Sequence, residues 1–422
     1  MDRRSALGTL SAAALLAAAL FSLGLRPDSP AAGLPGCASP RVAAVRGSVA
    51  PCPPPPAPPV PPPSGRLTVA GAGDIILHGR VHLSAQQRSK GEENNSGYDE
   101  LFPGVALALT GADLSIANLE FPILKERRPP KPFIFSGDPS ALLASARAGF
   151  TAFTSANNHA YDQGRAGVES TARLCEQEKQ ICLGVGRSRE EAERPLFFDR
   201  NGIKLAVIGY TTVANDNQNG KGPLGPHVNG YGPDGLIEQT RIAAAKSDCV
   251  VVVIHWGEEY REQPTPAQKE LAARLVEAGT CLIIGHHPHV LEPVETAAMP
   301  DGRRALIVYS LGNFVSNQER RNPAHQNRIG AIVRVTVVKG RKGAEVESWE
   351  TLPVWMHNQT AYQVNRSVED LRVVVLPQAL ADVEARLAAA PPEERKTLER
   401  ERDFYRGRIE HAERLLVAPR GP

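Results

Sequence analysis

The sequence has almost no net charge. Its 48 lysines and arginines and 46 aspartates and glutamates leave a formal charge of +2 over 422 residues. A chain so nearly balanced lacks the basic excess that neutralises nucleic-acid phosphates, so we expect no nucleic-acid partner. The length allows one large catalytic domain with appendages, or two modest domains.

Cysteine is scarce, and its spacing argues against one class of site. The six cysteines include no Cys-x-x-Cys pair, so a thiolate zinc site is not expected. Cys249 and Cys281 each begin a strand-like apolar run, six residues before His255 and His287 respectively. If these strands are neighbours, the two cysteines can form a disulfide; alternatively, both are small core residues.

Outside the proline-rich stretch before residue 66, long uncharged runs are missing except at the N-terminus. There, "MDRRSALGTLSAAALLAAALFSLGL" has two arginines followed by a run without charge from Ser5 to Leu25. This order is typical of an export segment, which we place at residues 1–25 as a cleaved signal peptide or a retained membrane anchor. Cys37 in "LPGC" offers lipidation as a third possibility. We therefore expect an extracytoplasmic protein, secreted or anchored to the cell membrane, in a compartment that permits disulfides.

Residues 26–65 form a proline- and alanine-rich linker, since "PCPPPPAPPVPPP" predicts a semi-rigid polyproline spacer. Strand-like and helix-like segments then alternate over residues 66–360, which predicts one α/β layered domain. Runs such as "CVVVVIH" are apolar throughout, as in strands buried on both faces. Residues 361–422 are charged and largely helical, and Pro391-Pro392 divides this C-terminal extension into two helices.

Five of the strand-like runs end in side chains that can bind a metal ion. They are Asp74, Glu120, the run Asn157-Asn158-His159, His255, and the cluster His286, His287 and His289. Ligands of α/β folds bind at the carboxyl ends of the strands, so we expect these groups to converge. Carboxylate, amide and imidazole donors without cysteine suit Zn²⁺, Mn²⁺ or Fe²⁺. Each group alone has an ordinary structural explanation, such as a turn or a helix cap, but the five together predict a metal site.

Several motifs of the body also resemble a known family. They are "GAGDIILHGRV", "DLSIANLEFPI", "SANNHAYDQGRAGVEST", "IHWGEEYREQPTPAQKELAARLVEAG", "IIGHHPHVLEPVE" and "YSLGNFVSNQ". From about Leu67 to Asn317 the chain is similar to the CapA family of poly-γ-glutamate capsule-synthesis proteins, relatives of the calcineurin-like metallophosphoesterases. The resemblance implies a four-layer α/β/β/α sandwich with a site for two divalent metal ions. It also implies an extracytoplasmic role with an anionic polymer such as poly-γ-glutamate, alongside a membrane-bound synthase or export complex.

Carried over motif by motif, the resemblance assigns a role to each site residue. The implied metal ligands are Asp74, Glu120, Asn158, His255, His287 and His289, with His286 as an alternative to His287. His159 would be the catalytic residue, as a general acid or as the group that orients the attacked bond. The chain departs from the phosphoesterase pattern Asp-x-His, because Ile76 stands where that pattern has histidine and the next histidine is His78. The number of ligands to the first metal is therefore left open.

Further residues are expected to contact substrate or to support the ligands. Glu259 and Tyr260 follow His255 in "HWGEEY", where they bind substrate or cap the next segment. Asn313 is assigned to substrate binding, and with Ser310 it is also expected to orient His289 by hydrogen bonds. Arg80, Arg165 and Arg328 are candidates for binding carboxylates or phosphates.

Three functions remain open at this point. The first is a metal-dependent hydrolase or transferase that acts on a phosphoester or amide bond of an anionic polymer or its lipid carrier. The second is a non-catalytic component that binds the polymer during assembly. The third is a general secreted metallophosphoesterase, which the missing Asp-x-His histidine disfavours most. We expect the first.

Overall fold

The computed structural model describes residues 65–89, 96–126, 128, 131, 133–215, 227–318, 326–358 and 370–417. The expected export segment 1–25 and residues 26–64 of the expected linker lie outside the described residues. Within the described ranges, no helix is both long enough and apolar enough to cross a membrane.

The described residues contain helices and strands in alternation over most of their length. In chain order these are β1 (Arg66–Ile75), α1 (Gly79–Arg88), α2 (Val105–Leu109), β2 (Leu114–Leu119), α3 (Pro139–Arg147), β3 (Ala152–Thr154), α4 (Gly164–Gln177), β4 (Ile181–Leu183), α5 (Arg189–Glu193), β5 (Leu196–Arg200), β6 (Ile203–Thr211), α6 (Pro233–Ala244), β7 (Cys249–His255), α7 (Pro266–Glu277), β8 (Thr280–His286), β9 (Leu291–Ala298), β10 (Arg304–Leu311), β11 (Asn313–Val315), β12 (Ile329–Gly340), β13 (Gly343–Asn358), β14 (Leu371–Val375), α8 (Leu376–Ala389) and α9 (Pro392–Leu416).

These strands form two sheets. The first has the order β14-β13-β12-β1-β2-β3-β4, with β11 also pairing with β1, and the second has the order β5-β6-β7-β8-β10-β9. The strands β1 to β4 are parallel to one another, and so are β6, β7, β8 and β10. Antiparallel pairing of β12, β13 and β14 continues the first sheet, and β5 and β9 are the antiparallel edge strands of the second. Parallel neighbours end at the same edge of a sheet, so each sheet presents a row of carboxyl strand ends.

The two sheets pack face to face, and helices cover their outer faces. Val69 and Val333 of the first sheet share one buried core with Ile283 of the second. At Gly71 of β1, a Cβ atom would lie 3.0 Å from Ile284 of β8, which shows how closely the sheets approach. Helices α6 and α7 bury apolar residues against the second sheet, and α1 to α4 do so against the first. The expected α/β/β/α layer order is confirmed.

Burial explains why the strand runs are apolar without alternation. All seven residues of β7 and all seven of β8 are buried, because a sheet lies on one side and helices on the other. Each fully buried valine, leucine or isoleucine side chain contributes about 1.5–3 kcal/mol of transfer free energy. The central strands therefore supply much of the stability that fixes the strand ends in place.

The first sheet extends past the boundary expected at residue 360. Leu371–Val375 forms β14, which pairs with β13 and buries every second side chain, so the segment is a strand where a helical extension was predicted. The two helices after it agree with the prediction, since Pro391 lies between α8 and α9 as the N-cap of α9. Trp355 of β13 packs against α9, because Cζ of Arg408 on that helix lies 4.7 Å from the centroid of its indole ring. Cζ of Arg328 lies 4.4 Å from the same ring.

Two disulfides are present among the described residues. Cys249 and Cys281 join the starts of β7 and β8, with 5.8 Å between their Cα atoms, so the disulfide alternative is the one the structure contains. The second, Cys175–Cys182, joins α4 to β4 and was not anticipated. Both Cα separations lie within the usual range for disulfides.

Candidate metal centre

Strand ends from both sheets bring the candidate ligands together. Asp74 near the end of β1 is in register with Asn118 of β2, and His255 at the end of β7 is in register with His286 of β8. Glu120 directly follows β2. All of these side chains, together with Asn158, His159, His287 and His289, are buried. The sequence-predicted ligands thus converge at one edge of the sandwich.

Asp74 is the hub of one half of the cluster. Its Oδ1 lies 3.0 Å from His286 Nδ1 and its Oδ2 lies 3.1 Å from His289 Nδ1. The amide of Asn118 donates a further hydrogen bond of 2.9 Å to Oδ1. Although burial alone would raise it, these histidine contacts hold the pKa of Asp74 well below its usual value. The carboxylate is therefore ionised, and its contact with His289 Nδ1 leaves the Nε2 atom of that ring for another partner.

His255 is the hub of the other half. Its Nε2 lies 2.9 Å from Asn158 Oδ1 and 3.1 Å from His287 Nδ1. Burial, followed by the neighbouring His287, lowers the pKa of His255 well below its usual value. Burial and the nearby His289 lower the pKa of His287 to about 3. Both imidazoles are thus neutral near pH 7, which is the form that ligates metal ions.

Glu120 lies between the two halves. Its Oε2 accepts a 3.2 Å hydrogen bond from Asn118, but its Oε1 is buried with no hydrogen-bond partner in the described ranges. That unpartnered oxygen lies 3.7 Å from His289 Nε2 and 3.9 Å from His159 Nε2. Burial, and then the charge of Asp74, raise the pKa of Glu120 well above its usual value. The charged carboxylate is unfavourable here unless a cation accompanies it.

These observations fit divalent cations. The donor atoms of Asp74, Glu120 and His255 lie within 4.8 Å of one another. Around His255, the nitrogen and oxygen atoms at 2.9 and 3.1 Å match neighbouring ligands of one ion, which lie about 3 Å apart when each is about 2.1 Å from it. Asn158, His255 and His287 would hold a metal on one side. Asp74 and His289 would hold another metal on the other side, and Oε1 of Glu120 is a candidate ligand for both metals.

His159 lies beside this set with a different partner. Its Nδ1 is 2.9 Å from Asp162 Oδ2, so the carboxylate fixes the Nδ1 proton and leaves Nε2 facing Glu120. The ring of Phe135 packs on the imidazole, with 4.4 Å between ring centroids. An imidazole oriented by a carboxylate is the usual arrangement of a proton-transferring histidine.

The backbone of the histidine cluster is strained. His287 has a φ of +99° and His289 a φ of +59°, a region that non-glycine residues seldom occupy. The carbonyl of Pro288, between them, accepts a 2.7 Å hydrogen bond from the N–H of Tyr260, which itself has a φ of +64°. Such conformations cost about 1–3 kcal/mol each and are concentrated at functional sites.

Some predicted residues have other roles in the structure. Asn313 is buried, and its amide donates to Gln318 and to the carbonyl of Asn327. Ser310 donates to the carbonyl of Val290, so it supports the backbone next to His289. The substrate role of Asn313 stays a prediction.

The arginine candidates are not gathered at the centre. Arg165 forms a surface ion pair with Glu169, and Arg80 is exposed on α1. Arg328 is buried and donates twice to the carbonyl of Met356. His78 precedes α1, and its Nδ1 accepts a hydrogen bond from the N–H of Asn317.

Sequence reasoning missed several residues that organise the centre. Asn118 donates to both Asp74 and Glu120 and accepts from Asn157. A polar residue inside a buried strand run was the available signal for Asn118. Asp162, three residues after His159, was the available signal for the oriented histidine. His286, treated only as an alternative to His287, is present in addition to it and contacts Asp74.

Fold and cluster together define an α/β/β/α sandwich with a candidate divalent-metal centre at its strand ends. Residues 68–318, more than half of the chain, match the family described as bacterial capsule synthesis protein PGA_cap, so the chain belongs to that family. This confirms the family expected from the motifs.

Two curated relatives illustrate the relationship. The chain is 32% identical over 270 residues to capsule biosynthesis protein CapA of Bacillus anthracis, a match that covers 60% of each chain. It is 29% identical over 304 residues to PGA biosynthesis protein CapA of Bacillus subtilis strain 168, covering 71% of this chain and 74% of that protein. The chain thus spans about 60% of the length of the first of these relatives.

Solved structures that match parts of the chain include a nucleotidase and a phosphoesterase, by their titles. One is the NAD nucleotidase NadN of Haemophilus influenzae, with a TM-score of 0.45 and 11% identity, covering 83% of this chain and 68% of that chain. The other is the calcineurin-like phosphoesterase YfkN from Bacillus subtilis, with a TM-score of 0.36 and 14% identity, covering 69% and 91% respectively. Similarities as low as these do not indicate the activity of this chain.

Proposed function

We propose that this protein is a metal-dependent hydrolase or transferase that acts outside the cytoplasm on capsular poly-γ-glutamate, or on another anionic polymer or its carrier. One observation carries the proposal: buried carboxylate, amide and imidazole donors from both sheets meet around a carboxylate oxygen, Glu120 Oε1, that has no hydrogen-bond partner among the described residues. The family membership and the names of the two curated relatives supply the polymer.

We assign two divalent ions, Mn²⁺, Zn²⁺ or Fe²⁺, to this site. Asp74, His289 and Glu120 would hold the first, while Glu120, Asn158, His255 and His287 would hold the second. Bound ions of this kind supply Lewis acidity to the scissile group and activate water as a nucleophile. The chain itself contributes neutral imidazoles, whose low pKa values keep His255 and His287 ready to bind metal.

His159 is the residue to which we assign proton transfer. Asp162 fixes its Nδ1 proton, so Nε2 is the atom that gives a proton to the leaving group or takes one from the nucleophile. The side chain retains 9% exposure, so the imidazole is not completely closed off from solvent. Tyr260, whose ring centroid lies 6.0 Å from that of His289, is positioned to contact the substrate.

The proposal is tested with a His159→Ala variant of the full chain. We expect turnover of phosphoester or γ-glutamyl substrates to fall by about 100-fold or more, while the metal content stays at the wild-type level. A His411→Ala variant, on α9, is the matched control and should keep both. If the wild-type protein binds metal but turns over neither class of substrate, the non-catalytic polymer-binding function replaces this one.

A membrane-bound synthase or export complex is the partner we propose. The basis is the family alone, since the names of the relatives refer to biosynthesis of the capsule or polymer. Co-purification of the full chain with membrane proteins of its own host, compared with a strain that lacks it, tests this assignment. Recovery of the chain alone from solubilised membranes would count against it.

A further inference from the structure

A glutamate lies on the solvent side of the metal cluster. A carboxylate oxygen of Glu259 and one ring nitrogen each of His287 and His289 lie within 4.8 Å of one another. Glu259 is exposed, whereas both histidines are buried. The three side chains therefore form a second group of possible ligands, separate from the group of Asp74, Glu120 and His255.

The loop that carries Glu259 is attached to the histidine turn. The next residue, Tyr260, donates its N–H to the carbonyl of Pro288, between the two histidines, at 2.7 Å. This bond fixes the backbone one residue from Glu259, so the carboxylate is held beside the imidazoles. The preceding residue, Glu258, has a different environment, since its carboxylate pairs with Arg261 at 3.1 Å.

An independent observation points to a cation at the same place. Within the part of the chain that the structure describes, the buried Oε1 of Glu120 has no hydrogen-bond partner, and it lies 3.7 Å from His289 Nε2. Glu259 is close enough for its charge to act on Glu120. A divalent cation between these two carboxylates would relieve their repulsion.

The chain also lacks one ligand residue of the Asp-x-His pattern. Ile76 is fully buried in the apolar core at the position where the phosphoesterase pattern has a histidine. Asp74, His289 and Glu120 alone give the first metal fewer protein donors than the second. Glu259 is a donor in "HWGEEY" that the Asp-x-His comparison does not consider.

We propose that Glu259 is a metal ligand, which with His289 binds the first divalent cation at the open side of the centre and supplies the donor that Ile76 cannot. This inference rests on the proposed metal centre and assigns Glu259 to the metal rather than to substrate. Because a carboxylate oxygen is a harder donor than an imidazole, the exchange favours Mn²⁺ more than a histidine at position 76 would.

The test measures Mn²⁺ binding to the full chain by titration calorimetry and by the EPR signal of free Mn²⁺. Glu259→Gln keeps the size of the side chain and removes its charge, and Glu258→Gln is the matched control on the adjacent residue. We expect Glu259→Gln to weaken Mn²⁺ binding by about 10- to 100-fold, whereas Glu258→Gln binds as the wild type does. Glu259→Asp retains a carboxylate and should recover part of the lost affinity.

The outcomes separate this inference from the proposed function. If the wild type binds Mn²⁺ and Glu259→Gln binds it equally well, Glu259 is not a ligand and the centre stands without it. If the wild type binds neither Mn²⁺ nor Zn²⁺, both proposals fail. Unfolding midpoints of the metal-free variants show whether the fold is kept, and Glu259→Asp decides the question if Glu259→Gln is unstable.

Discussion

A buried glutamate outside the metal cluster makes the stability of this protein depend on pH. Glu292, on β9, is fully buried; its Oε2 accepts a 2.9 Å hydrogen bond from Gln268, and its Oε1 has no hydrogen-bond partner among the residues that the structure describes. Burial raises the pKa of Glu292 to about 8, from a usual value of 4.5, against the smaller opposing effects of Gln268 and Arg261. Because the folded state holds this proton more tightly than the unfolded state, the free energy of unfolding falls as pH rises from about 4.5 to about 8.

The size of the effect follows from the shift. One pKa unit corresponds to about 1.4 kcal/mol, so the full shift amounts to about 5 kcal/mol, of which about 3 kcal/mol is lost between about pH 5 and about pH 7.5. Glu292→Gln keeps the acceptor for Gln268 and removes the titration. Relative to the wild type, this variant should therefore gain about 3 kcal/mol over that range.

Urea unfolding of the metal-free full chain at several pH values measures this difference. Glu413→Gln, which removes an exposed carboxylate on α9, is the control and should follow the wild type at every pH. Equal pH dependence for wild type and Glu292→Gln would refute the reasoning, because the buried carboxyl would then titrate as it does in the unfolded chain.

Three further predictions concern the network and the disulfides. Asp162→Asn should lower turnover by about 10-fold or more without changing metal content, because His159 loses the carboxylate that fixes its Nδ1 proton; loss of bound metal instead would contradict the separation of His159 from the ligands. Asn118→Ala removes donors to Asp74 and Glu120 and should lower the unfolding free energy of the metal-free protein by about 1–3 kcal/mol, measured by urea unfolding; an unchanged value would show that these bonds contribute little. Replacing Cys249 and Cys281 with alanine should cost about 3–4 kcal/mol, and replacing Cys175 and Cys182 about 2–3 kcal/mol, because the first bridge closes a loop of 32 residues and the second a loop of 7; the reverse order in unfolding experiments would contradict the loop-entropy account.

The sequence predicts the layered fold because burial on both faces leaves a direct record. No charged residue interrupts strands β7 and β8 before His255 and His286, and only Thr280 at the start of β8 is polar, so the type, the length and the polar ends of both strands can be predicted. Parallel pairing then places those ends at one edge. Strand β14 was missed because its five residues, LRVVV, adjoin a long charged helical segment and have few neighbours of the same pattern.

It is harder to predict which side chain each site residue contacts than to predict which residues belong to the site. The sequence places His287 in the cluster, but only the structure shows that it faces His255 while His286 faces Asp74. Two adjacent histidines after one strand cannot be distinguished by spacing, since the backbone leaves the strand at that point with a φ of +99° at His287. The same holds for Glu258 and Glu259, whose different partners depend on the path of one loop.

The side chains that hold the candidate ligands in place could not be predicted, because their contacts depend on which residues face each other in paired strands. Asn118 meets Asp74 only because β1 and β2 pair with these two residues opposite each other. The pairing of Cys175 with Cys182 depends on how α4 returns to β4. Such relations follow from the packed structure, and no residue pattern in the sequence records them.

Metal content of the purified full chain shows whether the buried histidines and carboxylates form a metal centre. After loading with Mn²⁺ or Zn²⁺ and removal of the excess, elemental analysis should find about two equivalents in the wild type and in a His411→Ala control. The His287→Ala and His289→Ala double variant should lose most of this metal while its disulfides and secondary structure persist. If the wild-type protein and the double variant are equally free of metal after loading, the buried histidines do not form a metal centre, and the proposed metal-dependent function is wrong.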